Sequence, residues 1–201
     1  MWRSCNRVEA IEAILANYGL PLDMVRGMTR ALITGSTSGL GLEFAWQLAG
    51  AGHDLTLVAR HEDRLAAVAA QIEAVSGVKV EVLAADLSET NEAYRVARRL
   101  TDPVKPINLL VNHSGHTVRS QFLECEVEEQ VEQIDTMVRG TMILSHAAAR
   151  AMVKKGHGAI LNVSSLAGFT TTSVPAAAKS WITIFTEALA LELEDTGVTA
   201  T

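Results

Sequence analysis

Of the 201 residues only two are cysteine, two tyrosine and four proline, and aromatic side chains make up 4%. Cys5 and Cys125 stand far apart with no CxxC spacing, which argues against a disulfide framework or a zinc site and fits a reducing compartment. No metal is expected. Long apolar runs are missing as well: nothing approaches the ~18 residues that a membrane helix needs. The start of the chain carries Arg3, Arg7, Glu9 and Glu12 in place of a signal-peptide core. The expected location is the cytoplasm, away from any membrane. Positive charge is not in excess either. A net charge of −6 with scattered basic residues leaves no electrostatic footprint for nucleic acid and points to a small-molecule or protein partner.

A hydrophobic content of 48% with 20% charged residues fits one globular domain with a sizeable core. Val8, Ile11, Leu15 and Tyr18 recur at helical spacing before Gly19 and Pro21, so residues 1–29 are expected to form an N-terminal helical arm. From Arg30 onward, short runs rich in β-branched residues alternate with longer helical stretches. Strands are expected at Ala31–Thr34, Asp54–Ala59, Lys79–Ala84, Asn108–Asn112, Ala159–Val163 and Gly197–Thr201. Helices are expected near Gly41–Ala51, His61–Val75, Glu89–Leu100, Glu126–Lys155 and Ala176–Glu194. Apolar strands alternating with helices predict a doubly wound α/β domain over residues 30–201, a parallel sheet covered on both faces.

The stretch ALITGSTSGLGLEF puts Gly35, Gly39 and Gly41 where a strand turns into a helix. Glycine lets backbone approach a pyrophosphate, and the helix start offers free N–H groups and a positive dipole end. The spacing is G-x-x-x-G-x-G, and its strand-to-helix setting favours a dinucleotide over an ordinary tight turn. At the end of the second strand, in LTLVARHEDRL, an acidic residue would be expected if it held the free ribose hydroxyls of NAD(H). Arg60 stands there, and a guanidinium suits a 2′-phosphate, so NADP(H) is preferred and NAD(H) is the alternative.

By these motifs the chain resembles the short-chain dehydrogenase/reductase family from Arg30 to the end. The T-G-x-x-x-G-x-G loop at Thr34–Gly41, ADL at Ala85–Leu87, LLVNHSG at Leu109–Gly115, GAILNVSSLAG at Gly158–Gly168 and the helix KSWITIFTEALALEL carry the resemblance. It implies a Rossmann-type fold and NAD(P)-dependent redox chemistry on a carbonyl or alcohol. Carried onto this sequence, it assigns cofactor contacts to Gly35, Ser36, Ser38, Gly39, Leu40, Gly41, Arg60, Asp86, Leu87, Asn112 and Lys179. Asp86 would lie near the adenine, Asn112 would support the loop beside the cofactor, and Lys179 would bind the nicotinamide ribose. Ser165 would polarise the substrate carbonyl, so Ser165 and Lys179 are the catalytic candidates.

The family's proton donor is a tyrosine four residues before the lysine, and that position is Pro175. The only tyrosines are Tyr18, in the arm, and Tyr94, in a surface helix. Ser165 and Lys179 are 14 residues apart, about three fewer than the family's usual interval, and a shortened loop at TTTSV explains both departures. The family's active-site asparagine aligns with Met137. The sequence stops at DTGVTAT, near the start of the sixth strand, so a following P-G motif, last strand and substrate-covering segment are expected to be missing and the sheet incomplete at that end.

Two function classes follow. One is an NADP(H)-dependent oxidoreductase using Ser165 and Lys179 with a substitute proton donor, for which His113 and His116 are the candidates because imidazole titrates near neutrality. The other is a catalytically inactive NADP(H)-binding or protein-interaction module of the same fold. Hydrolysis by a Ser165–Lys179 dyad is disfavoured because no G-x-S-x-G surrounds the serine. Apolar faces on Glu126–Lys155 and Ala176–Glu194 fit either a homo-oligomer contact or core packing.

Overall fold

Alternation along the central strands decides the architecture. In β1 (Arg30–Thr34), Ala31 and Ile33 enter one apolar layer and Leu32 enters the other. β4 (Leu109–Asn112) and β5 (Gly158–Asn162) repeat the pattern, with Leu109, Val111, Ala159 and Leu161 on the first side and Leu110 and Ile160 on the second. Side chains with a period of two on strands apolar on both sides require cover on both faces. The computed structural model describes residues 30–115 and 122–201; the expected arm over 1–29, with Tyr18, and His116 lie outside them.

β2 (Asp54–Ala59), β3 (Val80–Ala84) and β6 (Val198–Ala200) complete a six-stranded parallel sheet in the order β3-β2-β1-β4-β5-β6. Ala31 pairs with Leu55 on one side and Leu109 on the other, so chain order reverses between β1 and β4. Helices α1 (Gly39–Gly50) and α2 (Glu62–Ser76) bury Ala45, Leu48, Leu65 and Ile72 in the first layer. Helices α3 (Thr90–Leu100) and α5 (Thr141–Val153) bury Val96, Leu100, Leu144 and Met152 in the second.

The expected strands are all present, with ends displaced by one residue at most positions. The expected single helix over Glu126–Lys155 is instead three pieces: α4 (Val127–Ile134), a π-helical segment at Asp135–Gly140, and α5. The wider π turn places Met137 inward and leaves Gly140 against Leu87. Helix α6 (Val174–Glu192) starts two residues earlier than expected, because Ser173 caps it, its Oγ accepting from the Ala176 N–H at 3.2 Å.

Candidate functional site

The loop between β1 and α1 is held by close backbone approach. A Cβ at Gly41 would stand 2.3 Å from the Gly35 carbonyl oxygen, and one at Gly35 would meet the His113 carbonyl oxygen at 2.9 Å. Gly35 also has φ +65°, the left-handed region that glycine enters freely. Thr34 ties this loop to the end of β4, its Oγ1 accepting from the His113 and Ser114 N–H groups at 2.9 and 3.1 Å. The first turn of α1 therefore opens, with its unpaired N–H groups, at the point where strand order reverses.

A cavity of about 230 Å³ lies in front of this loop. It gathers Gly35, Ser38, Arg60, Asp86 and Leu87 from three separate stretches of sequence, together with His113 and Gly115 from a fourth. Lining residues to which the sequence reading assigned no contact include His61 and Arg64 at the start of α2, and Thr136 in the π-helical segment. The R-x-x-x-R spacing at Arg60–Arg64 was the available signal for Arg64. Asp86 Oδ1 accepts from the Ser88 N–H at 2.9 Å and its hydroxyl at 2.7 Å, which fixes the carboxylate at the end of β3. Arg60 Nη1 lies 3.0 Å from Glu132 Oε1 of α4.

Other expected contacts sit elsewhere. Ser36 is fully buried and donates to the Val58 carbonyl at 3.3 Å, so its hydroxyl braces β1 against β2 instead of facing the cavity. Asn112 is likewise buried, its Nδ2 donating to Ser145 Oγ at 3.1 Å and Asn162 Oδ1 at 2.8 Å. Asn162 passes the network on to Thr186 Oγ1 at 3.0 Å. The role of Asn112 is to join β4, α5, β5 and α6 beneath the loop. Gly39 and Leu40 are exposed on the first turn of α1, outside the cavity lining.

At the end of β5, Ser165 is exposed and caps the short 3₁₀ turn Leu166–Phe169, accepting from the Ala167 N–H at 3.2 Å. That turn is docked on α6 through the Ser180 hydroxyl, which donates to the Gly168 carbonyl. Lys179 projects from α6 to donate to the Val163 carbonyl at 2.6 Å, and burial pushes its pKa down to about 8. Pro175 is buried in the first turn of α6, one turn ahead of Lys179. Met137 packs against Gly115, where an added Cβ would stand 2.7 Å from Met137 Cγ.

His113 lines the cavity at the end of β4. Its Nδ1 is buried against Gly35 and Gly41. Burial, then the nearby Lys179 charge, hold its pKa below the ordinary histidine value, against a smaller opposing pull from the Gly35 carbonyl. Tyr94 lines a groove between α3 and α5 with Met142, His146 and Arg150, none of which borders the glycine loop. No group of three metal-ligating side chains occurs among the described residues, and no helix there is long and apolar enough to cross a membrane.

A doubly wound parallel sheet with a glycine-lined cleft at its switch point defines a Rossmann-type nucleotide-binding protein. The family profile of short chain dehydrogenase matches residues 29–201, and the chain belongs to that family. An uncharacterized oxidoreductase of Staphylococcus saprophyticus is 32% identical over 174 residues, 85% of this chain and 74% of the relative. A very-long-chain 3-oxoacyl-CoA reductase of Laccaria bicolor is 34% identical over 175 residues, 84% of this chain, which spans only 52% of that protein. Among solved structures, a short-chain dehydrogenase from Sphingobium yanoikuyae in complex with NADPH superposes with a TM-score of 0.83 at 34% identity, covering 87% of this chain and 69% of that one.

Proposed function

We propose that this chain binds NADP(H) in the cleft between Gly35, Arg60 and Asp86 and serves as an oxidoreductase for a carbonyl or alcohol substrate. The observation that carries the reading is the convergence of the Gly35–Gly41 loop with two guanidinium groups, Arg60 and Arg64, on one cavity at the switch point. The residues fit the group: missing Cβ atoms leave the loop flat, α1 offers N–H donors for phosphate, and guanidinium pairs bind a 2′-phosphate bidentately. Bound there, the dinucleotide would supply or accept a hydride at its nicotinamide.

The chain's own residues would then orient the reactants. Lys179, already a donor at the C-terminal edge of the sheet, would hold the nicotinamide ribose, and Ser165 would donate to the substrate oxygen. A lysine with pKa near 8 also keeps an exchangeable proton close to neutral pH. Pro175 has none to give, and together with Met137 it favours a second reading, an NADP(H)-binding member without turnover.

Fluorescence titration with NADPH and NADH tests the shared part: saturable binding with NADPH clearly tighter is expected, and no binding of either would overturn it. Assay of a carbonyl panel with Lys179→Ala and Ser165→Ala then separates the two readings. Turnover that both substitutions reduce supports the oxidoreductase; binding without turnover supports the second.

A further inference from the structure

The guanidinium best placed for a 2′-phosphate already has a carboxylate on it. Arg60, at the end of β2, lies 3.0 Å from Glu132 of α4, 72 residues away in sequence. Glu132 stands one helical turn before Thr136, which lines the cavity, so the carboxylate reaches Arg60 from the cavity's rim. Both side chains are nearly half exposed, 48% and 40%. Asp86 and Glu92 are the acidic groups that line cavities together with Arg60. Asp86 is bound by Ser88, and Glu92 accepts from the Asp86 N–H at 2.5 Å and lies 3.8 Å from Arg95. Arg64 lines the same cavity with no ion pair among the described residues.

We propose that Glu132 is a specificity-determining residue whose carboxylate competes with the cofactor's 2′-phosphate for Arg60. The proposal rests on the NADP(H) reading above. A 2′-phosphate carries more charge than a carboxylate and can bridge Arg60 to Arg64, so it wins the exchange. An ion pair this exposed resists displacement only weakly. NADH carries two ribose hydroxyls there, leaves the Arg60–Glu132 pair intact, and is not opposed by it. Glu132 therefore lowers the preference for NADPH over NADH instead of blocking either.

The test is a fluorescence titration of NADPH and NADH with the full chain, Glu132→Gln, Arg60→Met and the double variant, with thermal melts to confirm folding. Glu132→Gln is expected to tighten NADPH roughly two- to fivefold and leave NADH unchanged. In the Arg60→Met background the same substitution should have no effect on NADPH. Adenosine 2′-phosphate used as a competitor should gain the same factor as NADPH. Unchanged or weaker NADPH binding by Glu132→Gln, or equal tightening of both dinucleotides, overturns the proposal while leaving the NADP(H) reading standing. A wild-type chain that binds NADH as well as NADPH, or neither, overturns both.

Discussion

Lys179 is where burial and charge conflict most. Its pKa is pushed down from 10.5 to about 8 by burial, so the folded chain binds fewer protons than the unfolded chain between those values. Below pH 8 both states are protonated and the folded state carries the full desolvation penalty. From pH 8 to 10.5 that penalty is relieved, and stability rises with pH by up to ~3 kcal/mol. Lys179→Met removes this titration. Urea unfolding should show the variant gaining on wild type at pH 7 and falling back relative to it by pH 10.5; a constant difference would refute the assignment. Gly41 is constrained by packing instead of charge. An alanine there would place Cβ 2.3 Å from the Gly35 oxygen, so Gly41→Ala should cost ~2 kcal/mol in the same assay. It should also eliminate NADPH binding, because the loop must open to accommodate the methyl group.

Helix α6 is defined locally by its first turn. Ser173 caps it and Pro175 occupies the first turn, where no intrahelical N–H bond is needed. Ser173→Ala should lower stability by about 1 kcal/mol. Pro175→Tyr supplies the side chain that the family resemblance implies at this position, yet it enters a buried position behind an exposed loop at Thr170–Ser173. It should therefore leave carbonyl reduction well below the rate of a family member with the full interval. Substantial rescue would show that the 14-residue interval between Ser165 and Lys179 is no obstacle to the chemistry. The π-helical segment illustrates the opposite limit of sequence reasoning. Periodicity over Glu126–Lys155 fits one continuous helix, and nothing local in DTMVRG marks a wider turn. The turn is seen only in the packing of Met137 on Gly115 and of Gly140 on Leu87.

Across the whole molecule, what the sequence revealed is what depends on near neighbours in the chain. The strands, their alternation with helices and the glycine turn follow from periods of two and 3.6 and from residues within one loop. Contacts between distant segments were not visible in that way. The Arg60–Glu132 pair spans 72 residues, and the Asn112–Asn162 bond spans 50. Asn112 matched a family motif, but only the assembled fold shows that its amide joins two strands and two helices below the cleft. This placement separates two roles that a binding assay alone would confuse. Asn112→Ala removes a buried donor from Asn162 Oδ1, leaving only the Ser145 hydroxyl at 3.4 Å. An underpaired buried oxygen of this kind is worth ~2 kcal/mol, or roughly 5 °C in melting temperature for a domain of this size. Because the network supports the loop without reaching the ribose phosphate, Asn112→Ala should weaken NADPH and NADH by the same factor. Arg60→Met, at the exposed end of β2, should leave the melting temperature nearly unchanged and weaken NADPH alone. Melting curves and paired titrations on the two variants check both statements. A selective loss of NADPH binding in Asn112→Ala would place that residue at the ligand and not beneath it.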